Sequence, residues 1–269
     1  MHSFEYHRAE STKDAVALAS KKTEGRYLAG GQSLVQAMKL RLSSPTDLFD
    51  LNFIKELSGI KVSGNTVEIG AMTRHADVAG SAAVQKAIPA LAALAGMIGD
   101  RQVRHMGTIG GSLANSDPAA DYPAAALGLG ATITTNKRKI EADKFFTGLY
   151  ETALQAGELI TSVSFPAPKR AAYMKFKNPA SRFAIVGVFV AAFGADRKNE
   201  VRVAVTGAGP NVFRQAEMEK ALSAKFAPES AAGIKVKAEG LNNDLHASPE
   251  YRAHLITVMA KRAVEAALK

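Results

Sequence analysis

Three features of the chain predict an α+β fold. Residues 26–34 run from a short apolar strand through Gly30-Gly31 into a helix that opens at Ser33. Residues 104–121, RHMGTIGGSLANSDPAAD, crowd glycines, hydroxyls and amides into one segment. Beyond Pro166 and Pro168, three strand-like runs follow one another through short turns before helical patterns take over, which is the pattern of an antiparallel sheet with helices packed on it.

Taken in order, Phe4 and Tyr6 alternate as a short strand, and Ser11 with Asp14 three residues on caps a helix carrying Ala15, Val16, Leu18 and Ala19. Arg26–Leu28 is the next strand, a helix runs from Ser33 through Leu40, and Asp47–Leu51 closes a compact β-α-β unit. Residues 61–70 read as a hairpin turning at Gly64-Asn65. Helical spacing follows over 81–86 and 89–98, with Leu91, Leu94, Ala95 and Ile98 on one face. Arg101, Arg104 and His105 lead into the central segment, where surface or interface ion pairs are expected of them. Residues 131–136 and 158–165 are strands, and Phe145, Phe146 and Tyr150 between them form an aromatic cluster read as core. After the shift at Pro166, Pro168 and Lys169-Arg170 come strands at 172–177, 183–193 and 201–207. Helices then cover 214–224, roughly 228–238 and 249–268, the last with Ser248 as N-cap and Pro249 at its first position. The boundaries predicted are a first domain over 1–168, with subdomains of about 1–55 and 56–168, and a second over 169–269.

The glycine segments carry the chemistry. Strand, Gly30-Gly31 turn and helix start make an anion site from free N–H groups. Taken alone, 104–121 reads equally as an ordinary Gly/Ser/Asn loop or as a phosphate loop. In the second reading Gly107, Gly110 and Gly111 take positive φ and line an anion nest, while Thr108, Ser112, Asn115 and Ser116 add donors and acceptors. Two such segments in one chain suit a ligand with two phosphates. Asp117 and Asp121 would repel a diphosphate, yet they can accept a hydrogen bond from a sugar hydroxyl. Neither a G-x-G-x-x-G fingerprint after a strand nor a Walker sequence occurs.

Composition narrows the class. With 47% hydrophobic residues over 269 positions the chain has ample material for a core. It has no cysteine, which excludes disulfides and any iron–sulfur cluster held by this chain itself. The N-terminal residues lack the apolar core of a secretory signal, and no apolar run approaches the ~20 residues of a membrane span, so a cytoplasmic protein is expected. The net charge of +9, from 34 basic and 25 acidic residues, is scattered, and no tryptophan is present for base stacking. A surface that retains a diphosphate and meets acidic partner subunits fits that charge better than nucleic-acid binding does. The six histidines show no metal-binding spacing, and no serine lies in G-x-S-x-G, so metalloenzyme and hydrolase readings lack support. His75 and His105 are read as structural.

AGGQSL at 29–34 and MGTIGGSLANSDPAAD at 106–121 together resemble the FAD-binding medium subunits of molybdenum hydroxylases, above all the carbon monoxide dehydrogenase branch, with xanthine dehydrogenase carrying the same module. The likeness extends over essentially the whole chain, through DLFDLNFIKEL, AMTRH and the terminal YRAHLITVMAKRAVEAAL. Gln32 stands where the family usually has His, and Ser112 where it often has Asn or Asp; both still hydrogen-bond.

The resemblance implies a PCMH-type FAD-binding domain of two α/β subdomains, followed by a domain with a three-stranded antiparallel sheet and helices. It assigns the FAD diphosphate to the backbone N–H groups of Gly30, Gly31, Gln32, Ser33 and Leu34 and of Thr108, Ile109, Gly110, Gly111 and Ser112, with Ala29 also against the cofactor. Asn115 and Asp121 would fix the rest of the cofactor, Leu159 and Ile160 would pass near the isoalloxazine, and Lys175, in Tyr173-Met174-Lys175, would reach its redox end, with Lys177 as runner-up. Phe183 stands where relatives often carry an aromatic, and Arg182 replaces a frequent acidic neighbour. By the same resemblance a large subunit holds the molybdenum-pterin cofactor and a small one two iron–sulfur clusters. Electrons leave through this FAD to a quinone, oxygen or NAD, in a dimer of heterotrimers. The competing classes are a free-standing FAD oxidase of the PCMH group and a subunit that has lost its flavin.

Overall fold

The computed structural model describes all of residues 1–269. Its first layer is a small parallel sheet of β1 (Glu5–Arg8), β2 (Arg26–Leu28) and β3 (Asp47–Asp50), with β3 in the middle. Helix α1 (Thr12–Ser20) is capped by the Ser11 hydroxyl, which accepts from the Asp14 N–H. Helix α2 (Leu34–Lys39) returns the chain from β2 toward β3.

The second layer is a five-stranded antiparallel sheet. It begins with the hairpin β4 (Ile60–Ser63) and β5 (Thr66–Gly70), turning at Gly64 with φ +55°, and is completed by strands that come later in the chain. Between them lies a helical stretch of α3 (His75–Gly80), α4 (Ala82–Ala87), α5 (Pro89–Gly96), α6 (Arg101–Met106), α7 (Ile109–Asn115) and α8 (Tyr122–Leu129). Then come β6 (Thr132–Thr135), β7 (Lys139–Glu141), the two-stranded ribbon β8 (Phe146–Gly148) and β9 (Glu151–Thr152), and β10 (Ile160–Pro166), giving the order β4-β5-β10-β6-β7.

The third layer is antiparallel: β11 (Arg170–Lys177), β12 (Ala184–Ala192), β13 (Val201–Thr206) and the two-residue β14 (Phe213–Arg214). This corrects the expected three strands to four. A two-residue edge strand has no periodicity to read. Helices α9 (Ala216–Ala224), α10 (Pro228–Ala232) and α11 (Pro249–Ala267) follow, α10 stopping at 232 instead of near 238. No helix is long and apolar enough to cross a membrane.

Alternation along β12 explains how the pieces cohere. Phe189 and Ala191 point into a core shared with α5, α8 and the five-stranded sheet, whereas Val186, Val188 and Val190 point into a second core under α11. The third layer is thus covered on both faces. A Cβ on Gly128 of α8 would lie 2.8 Å from the Phe189 ring, so that glycine lets helix and sheet approach closely.

The central segment is not a loop. It forms α7, opened by Thr108, whose hydroxyl accepts from the Gly111 N–H at 3.1 Å, and closed by Ser116 in the left-handed region at φ 46°. Gly107, Gly110 and Gly111 do not adopt positive φ. They are glycines for want of space: a Cβ would come within 2.5 Å of His75 Nε2 at Gly107 and within 2.6 Å of Ala71 Cβ at Gly110. The aromatic cluster divides as well, Phe145 being fully buried while Tyr150 is 57% exposed. Arg104 bonds the carbonyls of Ile98 and Gly99 and makes no ion pair.

Candidate functional site

The two glycine segments meet. A Cβ on Gly30 would lie 2.1 Å from the Met106 carbonyl oxygen, and one on Gly111 would lie 3.5 Å from Ala29 Cβ. The turn between β2 and α2 therefore packs directly on the junction of α6 and α7. Side chains brace the contact: Asn52 Nδ2 donates to the Ala29 carbonyl at 3.0 Å, Arg74 Nη2 donates to Asn52 Oδ1 at 2.6 Å, and Arg74 Nη1 donates to the Met106 carbonyl. Asn52 and Arg74 were not among the residues predicted for the site. Their signal lay in DLFDLN and AMTRH, which read as family likeness without a role.

Backbone donors are divided unequally between the segments. The N–H groups of Gly30, Gly31, Gln32, Ser33 and Leu34 donate to no backbone carbonyl, and Gly31 has φ +70°. On α7, by contrast, Ile109 N donates to Thr73 O at 3.2 Å, Gly110 N to Ala71 O at 2.8 Å and Ser112 N to Thr108 O at 3.0 Å. Gly111 N is taken by the Thr108 hydroxyl. The anion nest is thus concentrated on 30–34, five successive donors around one turn. Helix α2 is only six residues long, so the turn's own donors outweigh any helix dipole. The half-buried side chains of Gln32, Ser112 and Asn115 and the half-buried main chain of Gly111 flank the turn and α7.

Asp121 and Lys175 are brought together, but in a buried cluster. Lys175 Nζ donates to Asp121 Oδ2 at 2.8 Å, and the Tyr173 hydroxyl donates to Asp121 Oδ1 at 2.5 Å. Alternation puts Tyr173 and Lys175 on one face of β11, which explains the Tyr-x-Lys spacing. The lysine and aspartate side chains are 3% and 4% exposed. Burial pushes the Asp121 carboxyl above its usual range, against the pull of Lys175 and Tyr173, and burial beside Asp121 raises the Tyr173 hydroxyl well above its own. Leu159 and Ile160 are 5% and 3% exposed, their side chains in two separate cores. Lys177 and Phe183 are exposed, and Arg182 adopts φ 63°.

Behind α7, His75 is buried with its Nδ1 unpartnered, its ring 5.3 Å from that of Tyr122, whose hydroxyl is likewise unpartnered. Burial, with Arg74 and Arg104 nearby, lowers the His75 pKa to about 4, so the imidazole is neutral. This fits the structural role expected of it.

Residues 2–168 match the family model described as the FAD binding domain in molybdopterin dehydrogenase, and residues 171–267 that of the CO dehydrogenase flavoprotein C-terminal domain. The chain belongs to the FAD-binding medium-subunit family of molybdenum hydroxylases. It is 35% identical to the carbon monoxide dehydrogenase medium chain of Hydrogenophaga pseudoflava, over 98% of this chain and 96% of the relative. It is 34% identical to the glyceraldehyde dehydrogenase medium chain of Sulfolobus acidocaldarius, over 97% and 96%. A chain of quinoline 2-oxidoreductase from Pseudomonas putida 86 superposes with a TM-score of 0.90 at 28% identity, covering 99% of this chain and 97% of that one. The five N–H groups at 30–34 that meet no acceptor within the chain fit the diphosphate of FAD, the cofactor of this medium subunit.

Proposed function

We propose that this chain is the electron-exit subunit of a three-subunit molybdenum hydroxylase of the carbon monoxide dehydrogenase type. The observation that carries the reading is the run of five free N–H groups at 30–34, locked against α7. In it the N–H groups of Gly30, Gly31, Gln32, Ser33 and Leu34, with that of Thr108, hold the diphosphate. The Ser112 hydroxyl and the Asn115 amide orient the sugar and ribityl portion from the exposed side of α7. Asp121 and Lys175 act as one unit of no net charge at the redox end: they tie β11 to the end of the 116–121 turn and keep that end dry. FAD, when bound, mediates between the one-electron iron–sulfur clusters of the small subunit and an external acceptor such as a quinone, oxygen or NAD.

Relatives of nearly equal identity belong to enzymes named for carbon monoxide and for glyceraldehyde. Substrate choice therefore resides in the large, molybdenum-bearing subunit, not here. The reading carries with it a cytoplasmic complex, a dimer of such trimers. Its test is to strip FAD from the co-purified complex and re-load it. The stripped complex should still take electrons from dithionite into its clusters but pass them to quinone, oxygen or NAD far more slowly, with recovery on adding FAD. Unchanged reoxidation without FAD would refute the assignment.

A further inference from the structure

A cleft of about 270 Å³ lies between the regions 2–168 and 171–267, and the cofactor reading leaves it unused. One wall is Asp117, Pro118 and Ala119, from the turn that ends at Asp121; the other comes from the β11–β12 turn, the end of β13 and the start of α11. Main-chain carbonyls tie the walls together: Gly207 N donates to Pro118 O at 2.7 Å and the Thr206 hydroxyl to Ala120 O at 2.6 Å. Unspent donors collect in it. Asn178 is buried; its Oδ1 accepts from the N–H groups of Ala180 and Ser181, and its Nδ2 donates to nothing in the chain. Arg252 is buried too. Its Nη1 is spent on the carbonyls of Ile185 and Gly207 and its Nη2 on Asp244, while the Nε–H meets no acceptor. Buried donors are ordinarily paired, so a cleft that keeps two of them unspent is short of an acceptor. Its mouth is aromatic: Tyr150 and Phe183 are both exposed, and Tyr150 holds a left-handed φ of 55°, a strain that collects at functional contacts.

We propose that this cleft binds the ring of a quinone, the electron acceptor of the subunit. The proposal rests on the electron-exit reading above and selects among the acceptors it allows. Charge decides the class. Arg252 is the one lysine or arginine lining the cleft, Asp244 cancels it at 2.6 Å, and the Asp117 carboxylate adds negative charge. A pyridine dinucleotide brings a diphosphate that such a lining repels, and the cleft is smaller than the ~300–1,000 Å³ of sites for drug-sized ligands. A quinone ring is flat, neutral and small. Its two carbonyl oxygens supply the acceptors that Asn178 and Arg252 lack, and its faces stack on the aromatic mouth. Oxygen needs no such site. The cleft also lies at the redox end: its 117–119 wall leads into Asp121, and Asn178 follows Lys175 by three residues, about 10 Å of extended chain. The quinone takes two electrons from the reduced flavin and two protons from solvent at the mouth. Its two carbonyls become hydroxyls and the flavin returns to its oxidised form.

The test is a calorimetric titration of the full-length, FAD-loaded chain with ubiquinone-1 and, separately, with NAD. Ubiquinone-1 should bind saturably and NAD should not compete with it. Asn178→Asp keeps the Oδ1 acceptor that shapes the turn and replaces the amide donor with a carboxylate oxygen, so it should weaken ubiquinone-1 binding about tenfold or more. Tyr150→Gly removes an aromatic face and relieves the left-handed strain. It should weaken binding about threefold or more while the thermal midpoint stays level or rises. In the assembled complex both variants should raise the KM for ubiquinone-1 and lower the ratio of quinone to oxygen reoxidation. No saturable binding by the parent chain, unchanged affinity in both variants, or displacement of ubiquinone-1 by NAD would overturn the proposal. So would quinone and oxygen reoxidation falling in equal proportion, since that places the effect on the flavin. Reoxidation that survives stripping of FAD would instead contradict the electron-exit reading, so the two failures are told apart.

Discussion

Gly30 and Gly110 are required by crowding more than by backbone freedom. A methyl group at 30 would drive into the Met106 carbonyl at 2.1 Å, and one at 110 would meet the Ala71 side chain at 2.6 Å and its carbonyl at 2.8 Å. Backbone cannot rotate aside as a side chain can, so Gly110→Ala should destabilise the fold by about 2–3 kcal/mol, seen as a lowered urea midpoint. Loss of under 0.5 kcal/mol would show that α7 has slack. His75 sets a pH dependence. Its folded pKa lies at about 4, below the ordinary 6.5, because burial and the flanking Arg74 and Arg104 disfavour the cation. The stability contributed by the neutral ring is therefore complete above pH 6.5 and lost as pH falls from there toward 4. Its full size is on the order of 3 kcal/mol. Urea midpoints at pH 7 and pH 4.5 should differ accordingly, and His75→Phe should flatten that part of the slope; an equal slope in the variant would reassign the effect to carboxylates.

At the scale of elements, the buried Asp121–Lys175 pair pins β11 to the start of α8. Removing the lysine alone strands a carboxylate in a dry site, so Lys175→Met should cost about 3–5 kcal/mol, and adding Asp121→Asn should restore much of it. Thermal midpoints of the two variants compare directly, and a double variant no better than the single would show that the pair does not act as a unit.

The elements also show what was legible in advance. The turn at 30–31, the strand before it and the helix after it were readable because apolar run, glycine pair and helical spacing agree locally. Helix α7 was not. Two glycines at its start each disfavour helix by about 1 kcal/mol relative to alanine. What holds the helix is the Thr108 cap and the carbonyls of Thr73 and Ala71, which are distant in sequence. For the same reason the donors expected on 108–112 are mostly spent inside the chain, a fact no local pattern encodes. The burial of Lys175 depends on a partner 54 residues away.

For the whole molecule, the β11–β13 sheet belongs to two cores at once, facing the nucleotide-binding layers with Phe189 and Ala191 and α11 with Val188 and Val190. The two regions matched by separate family models are therefore welded by a shared core, and they should unfold together. The most direct check of the central claim is the flavin content of the purified full-length chain, measured by absorption and by identification of the nucleotide after acid release, beside the Gly30→Ala variant. The account predicts FAD near one per chain in the parent and almost none in the variant. No FAD in the parent, or equal FAD in both, would contradict it.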